Sequence, residues 1–355
     1  MLKHQTFYYF LHLKHRFHYF CVTLHSQTYD NFMLIPGNLN SVGRINYIDW
    51  AKAVCIFLMV VGHYTDNTII LSYIYSFHMP AFFIISGFLY KPHPWKQTII
   101  AFTVPVIFFS LLNLFVNLIL GRIMVDSLRI WDVIVQIVNW RHGIDGLFKG
   151  LWFIWALVGL RLLFGDIDWL KKMRQYHVPI AIAIIIYMST EKYHADIDTL
   201  FQGYYIGTIV PSLPFFCIGM LLKDMQWHPN SISSFKTMIP ILLLFLVMPA
   251  TNNNCDIYNS DYGYSFFLAA VNATMFTFLL FWTSNKLPAS KIIQTISNGT
   301  LVVLGMHMPL LYILQTIFPD ILSFLFPFIT IAICYYIILL CEKYCPILLG
   351  KMKRK

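Results

Sequence analysis

The chain has 355 residues, of which 58% are hydrophobic and only 12% are charged, and its formal net charge is +9. Soluble globular proteins carry about a quarter charged residues, so the composition excludes a water-soluble body and predicts a single membrane domain. The basic residues form short groups between apolar runs, without the basic stripe and interleaved aromatic residues that are typical of a nucleic-acid-binding surface. We therefore predict no nucleic-acid partner.

Residues 1–43 are rich in histidine and aromatic residues but show no clear periodicity. No histidine spacing in this stretch resembles a metal-ligand set, and we predict no metal site. The stretch also lacks the apolar core and small-residue cleavage site of a secretory signal. We interpret it as a weakly ordered basic extension, most of which a start at Met33 would remove.

Ten apolar windows follow, and most are close to the roughly 20 residues that a membrane-spanning helix requires. The fifth and the seventh are short. The predicted fold is therefore all-α, a polytopic membrane helix bundle of about ten transmembrane helices over residues 44–345. The windows cover about 48–67, 69–90, 98–120, 147–165, 177–190, 203–222, 237–250, 263–283, 300–318 and 321–341.

The distribution of positive charge predicts the orientation of this bundle. An even number of helices places both termini on one side, and most of the 25 Lys and Arg residues fall in segments on that side. By the positive-inside rule, both termini are cytoplasmic, and residues 346–355 form a basic cytoplasmic tail. The predicted location is a cell membrane of the bacterial cytoplasmic type.

Two segments on the opposite side are polar. Residues 121–146 include an amphipathic stretch that is expected to lie along the membrane surface, in contact with lipid. Residues 251–262, with the sequence TNNNCDIYNSDY, carry amide, hydroxyl and aromatic groups but no positive charge. Such groups suit carbohydrate hydroxyls, although an ordinary solvated loop has the same composition.

The first window contains the ionisable residues that best indicate a site, because such residues are costly inside a membrane. Asp49 and Lys52 are one helical turn apart, so they can pair. Eleven residues separate Lys52 from His63, which is about three turns and roughly 16 Å along the helix axis. Asp66 lies one turn further and is placed to hold a ring nitrogen of His63. This pattern predicts a polar path through the bundle.

His63 is the candidate general base on this path. A neutral histidine in a dry site is a competent base, because its pKa lies near the operating pH. It would take the proton from a hydroxyl that attacks a thioester. The alternative is a packed histidine bonded to a backbone carbonyl, and the alignment with Asp49 and Lys52 favours the first interpretation.

The second window contains the run SFHMPAFFIISGFLY, which begins at Ser76. Ser86 and Gly87 are small enough to let another helix, or a thin cofactor arm, approach closely. By composition alone the run is common helix packing.

These two windows together resemble the acyltransferase 3 membrane acyltransferases, especially the sugar O-acetylase branch that includes fucose 4-O-acetylase-like proteins. The family carries an acidic residue, a basic residue three later and a histidine eleven after that, which Asp49, Lys52 and His63 match. It continues with a motif like HxPxFFxxSGF, which residues 78–88 match from His78 onward.

Later motifs of the family follow in the same order. LWF at residues 151–153, which includes Trp152, is similar to the fourth-helix signature, and PFFCIGMLL at 214–222 to the sixth. ISNGTLVVLGMHMPLL at 296–311 is similar to a late segment in which a serine or threonine precedes a helix with histidine and proline, here His307 and Pro309. The resemblance extends over about residues 44–341.

The resemblance implies a ten-helix acyltransferase that moves an acetyl group from cytoplasmic acetyl-CoA, its co-substrate, to a sugar hydroxyl of a cell-surface or lipid-linked glycan. It implies that His63 is the base and that Asp49 and Lys52 organise the inner half of the site. The nucleotide end of the donor would then meet the basic end of the helix, while its pantetheine arm reaches toward the imidazole.

This sequence departs from the family pattern at two points. Lys52 stands where many members have arginine, which loses bidentate phosphate contacts. The third helix begins KQTIIAFTVP, which contains Lys96 but has apolar Ala101 and Phe102 where the family tends to place basic residues just before the proline. The predicted cofactor-binding residues are therefore Arg44, Lys91, Lys96, Ser86 and Gly87. The predicted second-tier residues are His78, Asp66, Trp152 and His307, and a structural role for His307 is as well supported as a catalytic one.

Two other classes of function remain open at this point. A transporter or flippase for a glycan or a lipid-linked intermediate also needs a polar path through the membrane. Transporter folds often contain a repeated half, and no second copy of the D-x-x-K…H pattern is present, which favours the enzyme. A scaffold for polysaccharide assembly without catalysis predicts that Asp49, Lys52 and His63 are all dispensable.

Overall fold

The computed structural model describes residues 44–122, 152–190, 205–231, 255–318 and 320–351. Apart from one isolated β-bridge between Asp256 and Asp261, these residues form helices and short connections. Asn46–Lys355 forms one unit, separate from Met1–Ile45. The predicted extension, most of the amphipathic segment 121–146 and the seventh window at 237–250 lie outside the described residues.

The described α-helices are numbered in chain order. They are α1 Asn46–Gly62, α2 Thr68–Tyr75, α3 His78–Phe88, α4 Trp95–Ile119, α5 Trp152–Arg161, α6 His177–Met188, α7 Ile209–Asp224, α8 Phe266–Ser284, α9 Lys291–Asn298, α10 Thr300–Ile317 and α11 Phe326–Tyr344. Shorter helical turns of the 3-10 type cover Asp168–Tyr176, Tyr205–Thr208, Pro229–Ser231, Asp320–Leu325 and Pro346–Leu349, and Leu162–Asp166 continues α5 as a π-helical turn.

Five of the described helical segments are long and apolar enough to cross a membrane. They are Thr68–Phe88, Trp95–Ile119, Phe266–Ser284, Thr300–Ile317 and Ser323–Tyr344. The apolar segment Trp152–Gly165 is shorter. The all-helical fold and its membrane character are thus as predicted, whereas a total of ten spans and cytoplasmic termini stay predictions.

The first predicted window differs from the structure at its C-terminal end. Helix α1 ends at Gly62 and not at residue 67. The polar residues that follow form a connection in which Asn67 caps α2, because its side-chain oxygen accepts hydrogen bonds from the N–H groups of Ile69 and Ile70. An N-cap of this kind starts a new helix. His63 therefore lies just beyond α1 rather than within it.

The helix bundle has two ends, and hydrogen bonds between its segments identify the first end. At the start of α1, the Asn46 side chain donates to Leu287 O and the Trp50 indole to Pro288 O, each at 2.8 Å. This end, called the basic end below, carries most of the cations of the described residues. They are Lys91, Lys96, Arg161, Lys171, Lys172, Arg174, Lys223, Lys286, Lys291, Lys343 and Lys351.

The second end, called the histidine end, contains the C-terminal end of α1, the junction of α2 with α3 and the start of α5. Here the Tyr75 hydroxyl donates to Gly62 O at 3.2 Å. The Trp152 ring lies 6.0 Å from the ring of Tyr258, which places the described part of the polar loop at 251–262 at this end. Separation of the cations to one end is the pattern on which the predicted orientation rests.

Helices α3 and α7 pack with their backbones unusually close. A Cβ atom added at Gly87 would lie 2.0 Å from Phe216 O, and one added at Gly219 would lie 2.0 Å from Ile84 O. Two glycines on facing helices therefore make the contact possible, as small residues do in membrane helix pairs. Of the two uses predicted for Gly87, the structure shows the approach of another helix, and a role in cofactor binding stays a prediction.

The chain after α11 returns to the bundle. Pro346–Leu349 forms a 3-10 turn in which Leu348 and Leu349 are buried. Gly350 then adopts a φ of +69°, and a Cβ atom at this residue would lie 3.0 Å from the Leu301 side chain. The predicted tail begins at residue 346, and the burial of Leu348 and Leu349 shows that its first residues pack against the helices.

Candidate active site

One residue of α9 joins the predicted charged pair of α1. The Ser297 hydroxyl donates a hydrogen bond to Asp49 Oδ1 at 2.6 Å, and Lys52 Nζ donates to the backbone oxygen of Ser297, also at 2.6 Å. Asp49 and Ser297 are both buried. The motif with Ser297 was noted in the sequence as a resemblance, but nothing in the spacing showed that its serine contacts α1.

We expect Ser297→Ala to destabilise the protein, because the substitution removes the donor to a buried carboxylate. Loss of a hydrogen bond to a charged group costs about 1–3 kcal/mol. The Lys52 contact is to the backbone and should persist. Thermal unfolding in detergent measures the effect. Ser297→Thr retains a hydroxyl and is the matched control. Equal melting temperatures for the alanine variant and the wild type would contradict the expectation.

A cavity of about 260 Å³ lies between α1, α3, α4, α5, α9, α10 and the turn after α11. Its polar lining residues are Lys52, Ser86, Arg161, Asn298 and Thr300. Its more numerous apolar lining residues are Ile56, Met59, Met79, Phe82, Ile85, Leu89, Phe102, Phe153, Leu157, Leu301, Leu304, Leu349 and Gly350. The lining fits a ligand with an anionic end and a narrow, mostly apolar arm.

Arg161 is a lining residue that the sequence analysis did not include. It is the last residue of α5, at the basic end. Its guanidinium donates to Lys91 O at 3.1 Å and lies 5.1 Å from the centre of the Tyr90 ring, and the Tyr90 hydroxyl donates back to Arg161 O at 3.3 Å. The cavity therefore has two cations among its lining residues, Arg161 from α5 and Lys52 from α1.

Three histidines come together at the opposite end of the bundle. The rings of His63 and His307 are 5.0 Å apart, and His78 lies within electrostatic reach of His63. His63 is exposed, whereas His78 and His307 are buried. The sequence predicted all three as site residues, but only the structure brings them together, from three different helices or helix ends. Within the described part of the chain they do not form a metal-ligand set.

Both buried histidines have one ring nitrogen fixed by a backbone carbonyl. His78 Nδ1 donates to Ile74 O at 2.7 Å, and His307 Nδ1 donates to Val303 O at 3.1 Å and Leu304 O at 2.8 Å. In a neutral ring with a protonated Nδ1, the Nε2 atom is an acceptor. His307 Nε2 is buried and has no hydrogen-bond partner among the described residues.

Tyr75 is a second residue of the histidine end that sequence reasoning missed. Its ring lies 5.4 Å from that of His78, and its hydroxyl donates to Gly62 O, next to His63. It thereby ties the end of α1 to the α2–α3 junction. The only signal in the sequence is its place three residues before His78, which is one turn of a helix.

None of the three histidines lines the cavity, but three of its lining residues lie within one helical turn of them. Met59, a lining residue, accepts the backbone hydrogen bond of His63 at 3.1 Å. The backbone oxygen of Leu304, another lining residue, accepts a hydrogen bond from His307 Nδ1, and Met79 is the neighbour of His78 in the chain. The cavity thus extends from Lys52 and Arg161 to residues that lie within one helical turn of each histidine.

Other predicted residues lie outside this arrangement. Asp66 is exposed in the connection after α1, so the helical alignment with His63 on which its predicted role rested does not apply. Lys96 is exposed and lies over the Trp95 ring at 5.5 Å. Trp152 is buried among aromatic rings, while its neighbour Phe153 lines the cavity. Arg44 precedes α1 in the N-terminal unit, and its role stays a prediction.

Comparison with known proteins places this architecture in a family. A family model described as an acyltransferase domain, of the acyltransferase 3 type, matches residues 45–342. No curated protein and no solved structure matches the chain. The matched range begins one residue before α1 and ends within α11, so it contains every lining residue of the cavity except Leu349 and Gly350, the Asp49–Ser297–Lys52 contact and the three histidines. The chain therefore belongs to the acyltransferase 3 family of membrane acyltransferases.

Proposed function

We propose that this protein transfers an acetyl group from acetyl-CoA to a sugar hydroxyl of a cell-surface or lipid-linked glycan, in a membrane of the bacterial cytoplasmic type. The observation that carries the proposal is the cavity, whose lining includes Lys52 and Arg161 and also Met59, Met79 and Leu304, each within one helical turn of one of the three histidines. A CoA thioester has matching parts, namely a phosphorylated nucleotide, a narrow arm and a reactive thioester at the tip.

In this proposal, donor and acceptor enter from opposite ends of the bundle. The donor occupies the cavity with its phosphates toward the basic end and its thioester toward the histidine end. The acceptor approaches His63 from outside, since this imidazole is exposed. The described loop at residues 255–264 lies at the same end and offers carboxylate, amide and phenol groups that suit carbohydrate hydroxyls.

His63 acts as the general base in the transfer step. It accepts the proton of the acceptor hydroxyl while the hydroxyl oxygen bonds to the thioester carbonyl carbon. The carbon–sulfur bond then breaks, the CoA thiolate leaves, and the imidazolium returns the proton to the sulfur. The products are an O-acyl ester and free CoA, so atoms and charges balance.

His307 supports His63 in this proposal as a positioning residue. Its Nδ1 atom is held by two carbonyls of its own helix, so its Nε2 atom is the acceptor side of the ring. The centre of the His63 ring lies 5.0 Å from that of the His307 ring. The buried acceptor atom of His307 therefore favours one orientation of the His63 ring. His78 is fixed in the same way by Ile74 O.

The test is acyl transfer by the purified protein in lipid nanodiscs, with acetyl-CoA labelled in the acetyl group and glycan lipids as acceptors. We expect label in the glycan fraction, and glycan mass spectrometry of cells that carry the gene should show an acetyl increment that is absent without it. Omission of the acceptor is the control. Translocation of a glycan lipid without any acyl-CoA, together with no labelled glycan, would instead support a flippase.

A further inference from the structure

A group of cations at the basic end has no role in the transfer step described above. Lys223, near the C-terminal end of α7, donates a hydrogen bond to Tyr90 O. Arg161, at the end of α5, donates to the backbone oxygen of the next residue, Lys91, at 3.1 Å. Cations from two helices therefore meet on consecutive carbonyl groups of the connection between α3 and α4.

Positive charge is in excess around Lys223. This residue follows the apolar part of α7, and burial lowers the pKa of its ammonium, with further lowering by the charges of Arg174 and Lys91. Asp224 opposes this effect, but its carboxylate also lies 3.7 Å from the Arg174 guanidinium. Among the described residues that act on Lys223, cations thus outnumber carboxylates. Binding of an anion would relieve their repulsion.

A purely structural role accounts for only part of this arrangement. Basic side chains near a helix C-terminus commonly bind its last carbonyl groups, and Tyr90 and Lys91 follow the end of α3. That role explains one hydrogen bond from each cation. It does not explain why Arg161 lines the cavity together with Lys52, or why Lys91 and Arg174 add charge beside Lys223.

We infer that Arg161, Lys223 and Lys91 form the site for the phosphate groups of the acyl donor's nucleotide. The inference rests on the proposed function and names the residues that hold one end of its substrate. Guanidinium and ammonium groups bind phosphate through charge-assisted hydrogen bonds. Arg161 can bind two phosphate oxygens at once, whereas each lysine acts as a point charge.

Phosphate at this end of a membrane protein has two sources, the nucleotide of CoA and the head groups of anionic lipids. The cavity favours the nucleotide. Ser86, Asn298 and Thr300 are polar groups within it that suit the amides of a pantetheine arm, and lipid tails have no such groups. The donor would pass Arg161 and enter the cavity between that residue and Lys52.

The experiment measures binding and not turnover. Wild-type protein in nanodiscs of zwitterionic lipid is titrated with CoA, with dephospho-CoA, which lacks the ribose phosphate, and with pantetheine, which lacks the nucleotide. We expect affinity to fall in that order. Arg161→Gln and Lys223→Gln should each weaken CoA binding about ten-fold or more and leave pantetheine binding unchanged, since each removes one charge-assisted contact. Lys286→Gln removes a cation of the basic end that lies over the Trp282 ring, and it should bind CoA like the wild type.

Several outcomes would overturn the inference. If the variants lose equal affinity for CoA and for pantetheine and also melt at a lower temperature, the cations have a structural role. If both variants bind CoA with the affinity of the wild type, these residues do not form the phosphate site. The same measurements are repeated in nanodiscs that contain phosphatidylglycerol, which tests the lipid head groups as the source of phosphate. If the variants lose only the added stability that this lipid gives to the wild type, the cations bind head groups. CoA binding with the expected losses but without acyl transfer would leave this site standing and overturn the proposed function alone.

Discussion

His63→Ala is expected to abolish acyl transfer while the protein still folds and still binds CoA. General acid–base catalysis contributes about 10²- to 10⁴-fold to a rate, and in our proposal this imidazole both takes the acceptor proton and returns it to the thiolate. The side chain is exposed and lies beyond the end of α1, so its removal leaves the packed interior unchanged. Initial rates of labelled acyl transfer in nanodiscs measure the loss.

His93→Ala is the matched control for this prediction. His93 is also an exposed histidine in a connection, but it lies at the basic end before α4. It should transfer acyl groups at the wild-type rate. A His63→Ala protein that retains more than a tenth of the wild-type rate, with normal expression and CoA affinity, would contradict the role that we propose for His63.

Gly87→Val is expected to have the largest effect on stability. Any Cβ atom at this position would lie 2.0 Å from Phe216 O, which is a backbone atom and cannot rotate away. Overpacking typically costs about 1–3 kcal/mol and occasionally more. Here helices α3 and α7 must separate along their contact, so we expect a cost of at least about 3 kcal/mol and little folded protein. Size-exclusion chromatography in detergent and thermal unfolding measure the result.

Ser86→Ala is the control for this substitution. Ser86 is the neighbour of Gly87 on α3, and it lines the cavity. Its alanine variant should elute and melt like the wild type. Gly219→Val, on the facing helix, should reproduce the defect, because a Cβ atom there would lie 2.0 Å from Ile84 O. A well-folded Gly87→Val protein would mean that the two backbones are farther apart than the structure shows.

The helices were predictable because apolarity is continuous along a membrane segment. Each apolar window that falls on described residues contains a helix, although several helices are shorter than their windows. The end of α1 was not predictable in this way. Hydropathy near residue 62 does not distinguish one long helix from two, and the cap formed by Asn67 decides in favour of a break.

The candidate site was predictable only in part. His63, His78 and His307 stand out in the sequence because polar rings are rare in apolar helices, but their approach depends on how α1, α3 and α10 pack. Ser297 contacts Asp49 across 248 positions of the chain, and periodicity carries no information over such a separation. Arg161 was overlooked because a cation at the end of an apolar helix is common.

The 3-10 turn after α11 has a practical consequence for anyone who handles this protein. Leu349 and Gly350 belong to the wall of the cavity in which we propose that the donor binds. Shortening the chain at residue 345 would remove part of that wall, so truncated variants would misreport donor affinity.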